Sequence, residues 1–532
     1  MSAAKDYNST DLCLAFKDVS VSSLYPPKAV ISNVSGFVAK GGITAVFGAS
    51  SSGKSLLLQA LSARVQSLSI TGNIFLNGLS IDPTSNANNI SYVSQETMLI
   101  GDLTAREMIR NAAKMKVNKP ERYIDESVDK ILKDFGLDHV AETYIGTIFR
   151  SGLSGGQKRR VDVAVELVSA GSLLLLDEPT SGLDGSIAYD VLTTIRNSVK
   201  SRPQCNPLSV MLSIHQPNSR ILELFDHILV LGGEGQTFFG TVAESVQHFT
   251  RIGYAPPAKY TPTDFYLNVT DTNFSESKFD FVGAFNSSDK YLELIELVDC
   301  VERRGQVEQL MLALGTNEVS TETKRKSAQA VGDSSSMLPD SQDPDIDSSE
   351  CMLSRRTGMQ TSLFTQMYVL SKRDFTVASR DPTMYYLQVA MVLAFGFLIG
   401  AVFFQLKYRI DESMNYIPSA LLWLMMMTIY IQIFKVYHMN KANERFAHEH
   451  GNGSYSTFAY WFADYLTVAT LMVSYIPGAA IGFFMAGFPG EAFPFIMLLV
   501  WLVREHMLLF LFTSSMYVLI FSIYCFLFSL YL

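Results

Sequence analysis

The sequence predicts two domains of different fold class in series: an α/β domain with a mostly parallel sheet over residues 1–300, and an all-α polytopic transmembrane domain over residues 385–532. Three observations carry this expectation. The chain has 532 residues, against about 100 to 200 for a typical domain. The 148 residues after Met384 hold only 13 of the 93 Asp, Glu, Lys and Arg side chains, so the front reads as soluble and the back as membrane-embedded. Within the front part, short apolar β-branched runs alternate with segments of helical spacing.

Taken in order, Leu12 to Phe16, Ala29 to Val34 and Ile43 to Phe47 read as strands, separated by Pro26-Pro27 and Gly41-Gly42. Ser55 to Val65 has helical spacing at Leu56, Leu57, Ala60 and Leu61, and segments 104–115, 122–136 and 155–169 also read as helices. Leu173 to Leu176 and Val210 to Ile214 read as buried parallel strands. The composition from about Gly315 to Gly358 is rich in Ser, Asp, Thr and Lys with few aromatics. Residues 301–361 are therefore assigned to a flexible linker, with a phosphorylated regulatory segment as the alternative. Residues 362–384 follow as an amphipathic, basic connecting helix (Lys372, Arg373, Arg380) suited to the cytoplasmic membrane surface.

Beyond it, Pro382 to Leu406, Ser413 to Phe434 and Tyr465 to Gly490 each suffice for the ~20 residues that cross a bilayer, and a fourth candidate begins near Ala492. The loop Lys435 to Tyr460 carries Lys435, Lys441 and Arg445, whereas Lys407 and Arg409 are balanced by Asp411 and Glu412. The longer, more basic loop is thus expected inside, together with the soluble domain. A net charge of −9 excludes nucleic-acid binding through a general positive field. The five cysteines (Cys13, Cys205, Cys300, Cys351, Cys525) are scattered and odd in number, indicating neither a disulfide framework nor a zinc site. The first 30 residues contain no continuous apolar run, so no cleavable secretory signal is expected and Asn33-Val34-Ser35 stays unglycosylated in the cytosol.

Gly48-Ala49-Ser50-Ser51-Ser52-Gly53-Lys54-Ser55 fits the phosphate-binding loop pattern and lies between the predicted strand Thr44 to Phe47 and a predicted helix. The glycines let backbone N–H groups close around phosphate oxygens. Lys54 supplies positive charge to the β and γ phosphates, Ser55 offers a hydroxyl to Mg²⁺, and the helix start adds partial positive charge. Five further motifs follow in order: Gln95 after Tyr92-Val93-Ser94; Leu153-Ser154-Gly155-Gly156-Gln157; Leu173 to Leu176 running into Asp177-Glu178-Pro179; Ser181-Gly182-Leu183-Asp184; and Ser213-Ile214-His215-Gln216-Pro217.

This set resembles the ATP-binding cassette (ABC) ATPases, which implies an α/β P-loop NTPase fold with ATP and Mg²⁺ as cofactors. Asp177, ending an apolar strand, is placed to hold Mg²⁺, and Glu178 to act as general base on the attacking water. Gln95 is expected at Mg²⁺ or that water, and His215 as a hydrogen-bond donor to the γ-phosphate. The resemblance also implies that Ser154, Gly155, Gly156 and Gln157 close over nucleotide held by a second subunit, with Asp184 on the same nucleotide-binding surface, so that two sites are completed only in a dimer. Tyr25, before Pro26, is the candidate for stacking on adenine, with a core role as the alternative.

Several phrases resemble the G subfamily of ABC half-transporters, the white and breast-cancer-resistance type. They are Gly155 to Val161, Glu166-Leu167-Val168, Thr261-Pro262-Thr263-Asp264-Phe265, Arg380-Asp381-Pro382, and Glu444-Arg445-Phe446 with Glu449, Gly453 and Tyr455. The resemblance implies a half-transporter exporting lipids, sterols or amphipathic compounds, partnered by an identical or different half, with the loop after the second span forming a coupling helix. Six spans are usual in that subfamily. Here an apolar run from His506 reaches Leu532, and four or five spans are expected, so a truncated, non-transporting subunit that partners a full-length half-transporter is the alternative. Arg504-Glu505 is either an intramembrane ion pair or part of such an irregular end. Met425-Met426-Met427 with Trp423 and Tyr430 either line a pliable pocket or pack helices.

Overall fold

The computed structural model describes residues 7–8, 10–24, 27–49, 52–64, 68–81, 90–147, 150–168, 171–204, 206–215, 219–233, 235–257, 261–270, 279–315, 361–380, 382–404, 442–472, 475–488 and 490–494. Tyr25, Ser50, Ser51, the expected linker from 316 to 360, the expected second span and Arg504-Glu505 lie outside them. The chain divides into two compact units, Met1–Ser362 with Glu449–Ser454, and Leu363–His448 with Tyr455–Leu532.

In the first unit, β1 (Leu12–Leu24) pairs antiparallel with β2 (Pro27–Ala39) and with β4 (Leu68–Leu76), and β5 (Leu79–Ser80) completes a four-stranded sheet in the order β2-β1-β4-β5. Leu76 faces Leu79 across a two-residue hairpin, whose Asn77 and Gly78 take φ of 50° and 86°. Asn-Gly is the dipeptide that accepts two successive positive φ values.

The second sheet has six strands in the order β10-β9-β3-β8-β7-β6, formed by β3 (Ile43–Gly48), β6 (Ile90–Val93), β7 (Leu173–Leu176), β8 (Ser209–Ser213), β9 (His227–Gly232) and β10 (Gly235–Gly240). All its pairings are parallel except β9 with β10. Leu173 to Leu176 are 0% exposed, so both faces of β7 are covered, which is why this strand is apolar without alternation. The expected strands and helices of this unit appear. The first helix, α1 (Lys54–Leu61), stops short of the expected Val65 because Ala63 takes φ 55°, a left-handed turn that ends it.

The other helices that matter below are α2 (Ala105–Lys116), α3 (Glu121–Asp134), α4 (Gly155–Leu167) and α5 (Gly185–Ser201), followed by α6 (Ser219–Leu222), α7 (Val242–Arg251), α8 (Pro262–Thr270) and α9 (Phe281–Asn286). Residues 301–315, assigned to the linker from sequence, instead continue α10 (Asp289–Gly315). That helix buries Leu294, Val298 and Val301 against the four-stranded sheet, an apolar stripe strong enough to order it. Its Gly305 comes so near the hairpin that a Cβ there would lie 1.9 Å from the Gly78 carbonyl oxygen.

In the second unit, α11 (Leu363–Arg380) ends before Met384, and α12 (Pro382–Val402) starts a new helix. Proline cannot continue a preceding helix but suits the first position of the next. α11 buries Gln366, Val369, Leu370 and Arg373 and exposes Phe364, Tyr368 and Phe375. The expected third span is divided between α13 (Thr457–Met472) and α14 (Tyr475–Met485), with Pro477 in the first turn of the latter. Eleven helical residues reach about 16 Å, half of a hydrocarbon core. Among the described residues no helix is long and apolar enough to cross a membrane. α12 and α14 approach closely at glycines: a Cβ on Gly396 would lie 2.1 Å from the Gly478 carbonyl oxygen.

Asp226 anchors the start of β3. Its Oδ2 accepts the Ile43 N–H at 2.8 Å and its Oδ1 accepts from Arg196 of α5 at 2.7 Å. Burial alone raises its pKa, but Arg196 and the Ile43 N–H outweigh that and hold the carboxyl below the ordinary value. A carboxyl depressed in the folded state adds stability above its unfolded pKa of about 3.9, and the gain is lost as pH falls through the folded value. Asp226→Ala is therefore expected to cost about 2 kcal/mol in urea unfolding at pH 7, with the difference from wild type narrowing toward pH 3. An equal loss at both pH values would contradict the ionic origin.

Candidate nucleotide site

The register of the parallel strands brings four loops to one edge of the sheet. Val93 of β6 stands beside Leu176 of β7, Leu176 beside Leu212 of β8, and Ser213 of β8 beside Val46 of β3. The residues that follow are then neighbours: Ser94-Gln95, Asp177-Glu178, His215 and the loop from Gly48 to Lys54. This carboxyl edge, where β3 sits between β8 and β9, is the kind of place where open α/β sheets take ligands.

The loop after β3 requires its glycines. A Cβ on Gly48 would fall 2.2 Å from Ser52 Oγ, and Gly53 takes φ 88° with a Cβ position 2.6 Å from the Ile31 side chain. Buried Lys54 donates to the Gly48 carbonyl at 2.8 Å and the Ala49 carbonyl at 3.0 Å. Burial lowers its pKa, while Glu178 and Asp177 oppose that shift. Ser52 Oγ is buried with no hydrogen-bond partner among the described residues, and no side chain caps the start of α1. A narrow loop with an unanswered hydroxyl, a lysine and an uncapped helix start fits a polyphosphate.

Ser55 Oγ donates to Asp177 Oδ1 at 3.0 Å, and the Gln95 amide donates to Glu178 Oε2 at 2.9 Å. Among the described residues no group of three or more His, Cys, Asp or Glu could hold a metal by itself. A hydroxyl and one carboxylate beside a phosphate loop nevertheless fit Mg²⁺, which takes one or two protein oxygens and completes its shell with phosphate and water. His215 is exposed just past β8. Ser154 caps α4 reciprocally with Gln157: its Oγ accepts the Gln157 N–H at 3.3 Å and Gln157 Oε1 accepts the Ser154 N–H at 3.0 Å. A Cβ on Gly155 would meet nothing within 4 Å, so the helix start is open there, whereas Gly156 faces Leu183 and Ile187. Asp184 Oδ1 caps α5, accepting from the N–H groups of Ser186 and Ile187 at 3.0 Å each.

Sequence reasoning assigned no role to four residues that the structure ties to this cluster. Ser213 Oγ donates to Asp177 Oδ1 at 2.7 Å and accepts the Glu178 N–H at 2.8 Å. Tyr92 Oη donates to Asp177 Oδ2 at 3.4 Å; burial, and then the Asp177 charge, push the phenol well above its ordinary pKa. Arg159 of α4 reaches the Asp177 carbonyl at 2.7 Å. Asn452, from the segment Glu449–Ser454 that folds with this unit, accepts the Tyr92 N–H at 2.9 Å and donates to the Tyr92 carbonyl at 3.1 Å. It also donates to Glu166 at 2.7 Å, whose other oxygen accepts from Lys116 at 2.9 Å. Because β6 is the last strand of its sheet among the described residues, the Asn452 amide pairs with its open edge. A serine closing the apolar run Val210 to Leu212 was the visible signal for Ser213.

Glu178 takes φ 45°, a left-handed conformation costly for a side chain of this kind. Ser213 holds its N–H there. Ser213→Ala is expected to orphan that partly buried N–H and lower unfolding stability by about 1 to 2 kcal/mol, while Ser213→Thr retains the hydroxyl and most of the stability. Urea unfolding curves for Ser213→Ala that coincide with wild type would remove this role.

The ABC transporter family model matches residues 31–181, and the ABC-2 type transporter model matches residues 365–531. "ABC transporter G family member 11" of Arabidopsis thaliana is 29% identical over 469 residues, 86% of this chain and 62% of that protein. "ABC transporter G family member 22" of Dictyostelium discoideum is 33% identical over 432 residues, 80% of this chain and 63% of that protein. "Broad substrate specificity ATP-binding cassette transporter ABCG2" of Sus scrofa is 27% identical over 443 residues, 83% of this chain and 64% of that protein. The chain thus spans less than two thirds of the length of each of these relatives. With an ATPase-type unit followed by an ABC-2 membrane segment in this order, the chain belongs to the ABC transporters of the G family.

Proposed function

We propose that this chain is one half of an ATP-driven exporter of hydrophobic or amphipathic compounds, lipids and sterols among them, acting as a dimer with a second, identical or different half. The observation that carries the reading is the hydrogen-bonded cluster at the sheet edge, with Ser55 on Asp177 and Gln95 on Glu178, beside a loop fitted to phosphate. The uncharged stretches after Met384 support an integral, multi-pass membrane protein with its ATPase unit in the cytosol.

In this reading Gly48 to Lys54 hold the phosphates of ATP and Tyr25 stacks on its adenine, while Ser55, Asp177 and Gln95 hold Mg²⁺, which neutralises charge on the phosphates. Glu178 accepts a proton from the water aligned by Gln95, and His215 donates to the γ-phosphate. Ser154, Gly155, Gly156, Gln157 and Asp184 face the nucleotide held by the second half. The bond cleaved is that between the β and γ phosphates, and the products are ADP and inorganic phosphate.

Asn452 gives the coupling a physical route. It reads the Tyr92 peptide only three residues before Gln95, from a segment bounded on both sides by residues of the membrane unit. Motion of that segment is thereby transmitted to the loop that contacts ATP.

Two outcomes test this. Glu178→Gln is expected to cut ATP turnover at least 100-fold while leaving ATP binding within about twofold, and unchanged phosphate release would remove the general-base role. Asn452→Ala is expected to keep at least about half of the ATPase rate in proteoliposomes while cutting ATP-dependent movement of a fluorescent lipid about tenfold. Transport and hydrolysis falling by the same factor would place Asn452 outside the coupling route.

A further inference from the structure

Arg159, on the second turn of α4, is 4% exposed, and its guanidinium makes more contacts to the nucleotide machinery than capping or packing of its own helix requires. Nη1 donates to the Ser94 carbonyl at 2.8 Å and the Gln95 carbonyl at 3.4 Å. Nη2 donates to the carbonyls of Asp177 at 2.7 Å and Glu178 at 3.2 Å, and Nε to that of Pro179 at 3.4 Å. Asp162, one turn further along α4, accepts from Nη1 at 2.9 Å and supplies the counter-charge. Burial pushes the Asp162 carboxyl up, and the Arg159 guanidinium pulls it down toward the charged form. A planar fork of five donors can bridge carbonyls of two separate loops, whereas an ammonium concentrates its donors at one point.

Two details make the geometry specific. The Glu178 peptide, in its left-handed conformation, is held at both ends, its N–H by Ser213 and its carbonyl by Arg159. The same guanidinium also holds the Gln95 loop, so the Gln95 to Glu178 hydrogen bond of 2.9 Å joins two loops already fixed to one side chain. Five residues before Arg159, about 7.5 Å along the helix, Ser154 forms the open start of α4.

We propose that Arg159 is a positioning residue that ties the helix beginning at Ser154 to the Gln95 and Glu178 loops, so that nucleotide engaged at the helix start sets the geometry of the machinery serving this chain's own nucleotide. This rests on the dimeric ATPase reading above. It adds to that reading a route by which one site senses the other. A shift of α4 carries the guanidinium with it and moves both loops as one body, opening or aligning the pair that holds the attacking water.

The test uses the full chain in lipid nanodiscs holding two copies, with MgATP as the probe. Binding is measured with radiolabelled ATP in the Glu178→Gln background, and hydrolysis in the otherwise unaltered chain. With Arg159 present, binding is expected to be cooperative, with a Hill coefficient approaching about 2 for two sites. Arg159→Met is expected to bring it to about 1 with half-saturation changed less than about threefold, and to lower kcat at least tenfold with KM nearly unchanged. Arg159→Lys, which keeps a charge facing Asp162 and so protects the fold, is expected to fall between. A residue that merely supports the fold would lower bound ATP and melting temperature together and leave the Hill coefficient of the remaining binding sites alone. A Hill coefficient unchanged in both variants, or already about 1 with Arg159 in place, overturns the proposal. If Arg159→Met does not fold, the Hill coefficient of Arg159→Lys decides. Absence of hydrolysis in the chain with Glu178 intact, alongside cooperative binding that depends on Arg159, would overturn the ATPase reading and leave only the coupling of two nucleotide-binding sites through Arg159.

Discussion

The parallel register of β6, β7, β8 and β3 is the constraint on which the rest of the first unit depends. Each strand contributes one short loop at the same edge, and the candidate site is assembled only because Leu176 stands beside both Val93 and Leu212. A slip of one residue in β7 would turn Asp177 away from Ser55 and Ser213 and remove the Glu178 N–H from its acceptor. The strands are therefore short and wholly buried, β7 is apolar throughout, and Thr44 within β3 and Ser91 within β6 are buried polar side chains among apolar neighbours. Asp226 sets the start of β3 from below, and the Ser213 hydroxyl sets the ends of β7 and β8 from above.

The polar groups around Asp177 and Glu178 are answered by one another. Asp177 is held by three hydroxyls, from Ser55, Ser213 and Tyr92, and the strained Glu178 peptide by Ser213 and Arg159. Such a network is rigid when complete, and the removal of one member leaves a buried group unpaired. The proposed coupling rests on that rigidity. Asn452 meets the network at the Tyr92 peptide and Arg159 meets it from α4, where it holds both loops that carry Gln95 and Glu178.

Much of this was legible in the sequence because the chemistry fixes residue types at adjacent positions. The loop from Gly48 to Ser55, the run from Leu173 to Glu178, and the capped start of α4 each lie in one contiguous stretch. What escaped was what topology brings together. Asn452 and Tyr92 are 360 positions apart, and nothing in either segment reveals that β6 is the edge strand. Arg159 reads as one of two adjacent arginines on a helix, and only the fold distinguishes it from Arg160. The apolar run from Tyr465 to Gly490 reads as one span by hydropathy, yet Pro477 places a new helix start within it. The linker was likewise drawn from residue 301, although the composition shifts only near Gly315 and Leu294, Val298 and Val301, at helical spacing, pack α10 on the four-stranded sheet.

The most direct measurement is the thermal unfolding of the full chain with and without MgATP. A site built as described stabilises the folded chain on binding, by about 2.7 kcal/mol at a hundredfold excess over the dissociation constant, and the unfolding midpoint rises accordingly. Lys54→Met should abolish that rise, because the lysine is the positive charge buried within the phosphate loop. No rise with MgATP, or an equal rise in the Lys54→Met chain, would contradict a nucleotide site at the edge of this sheet.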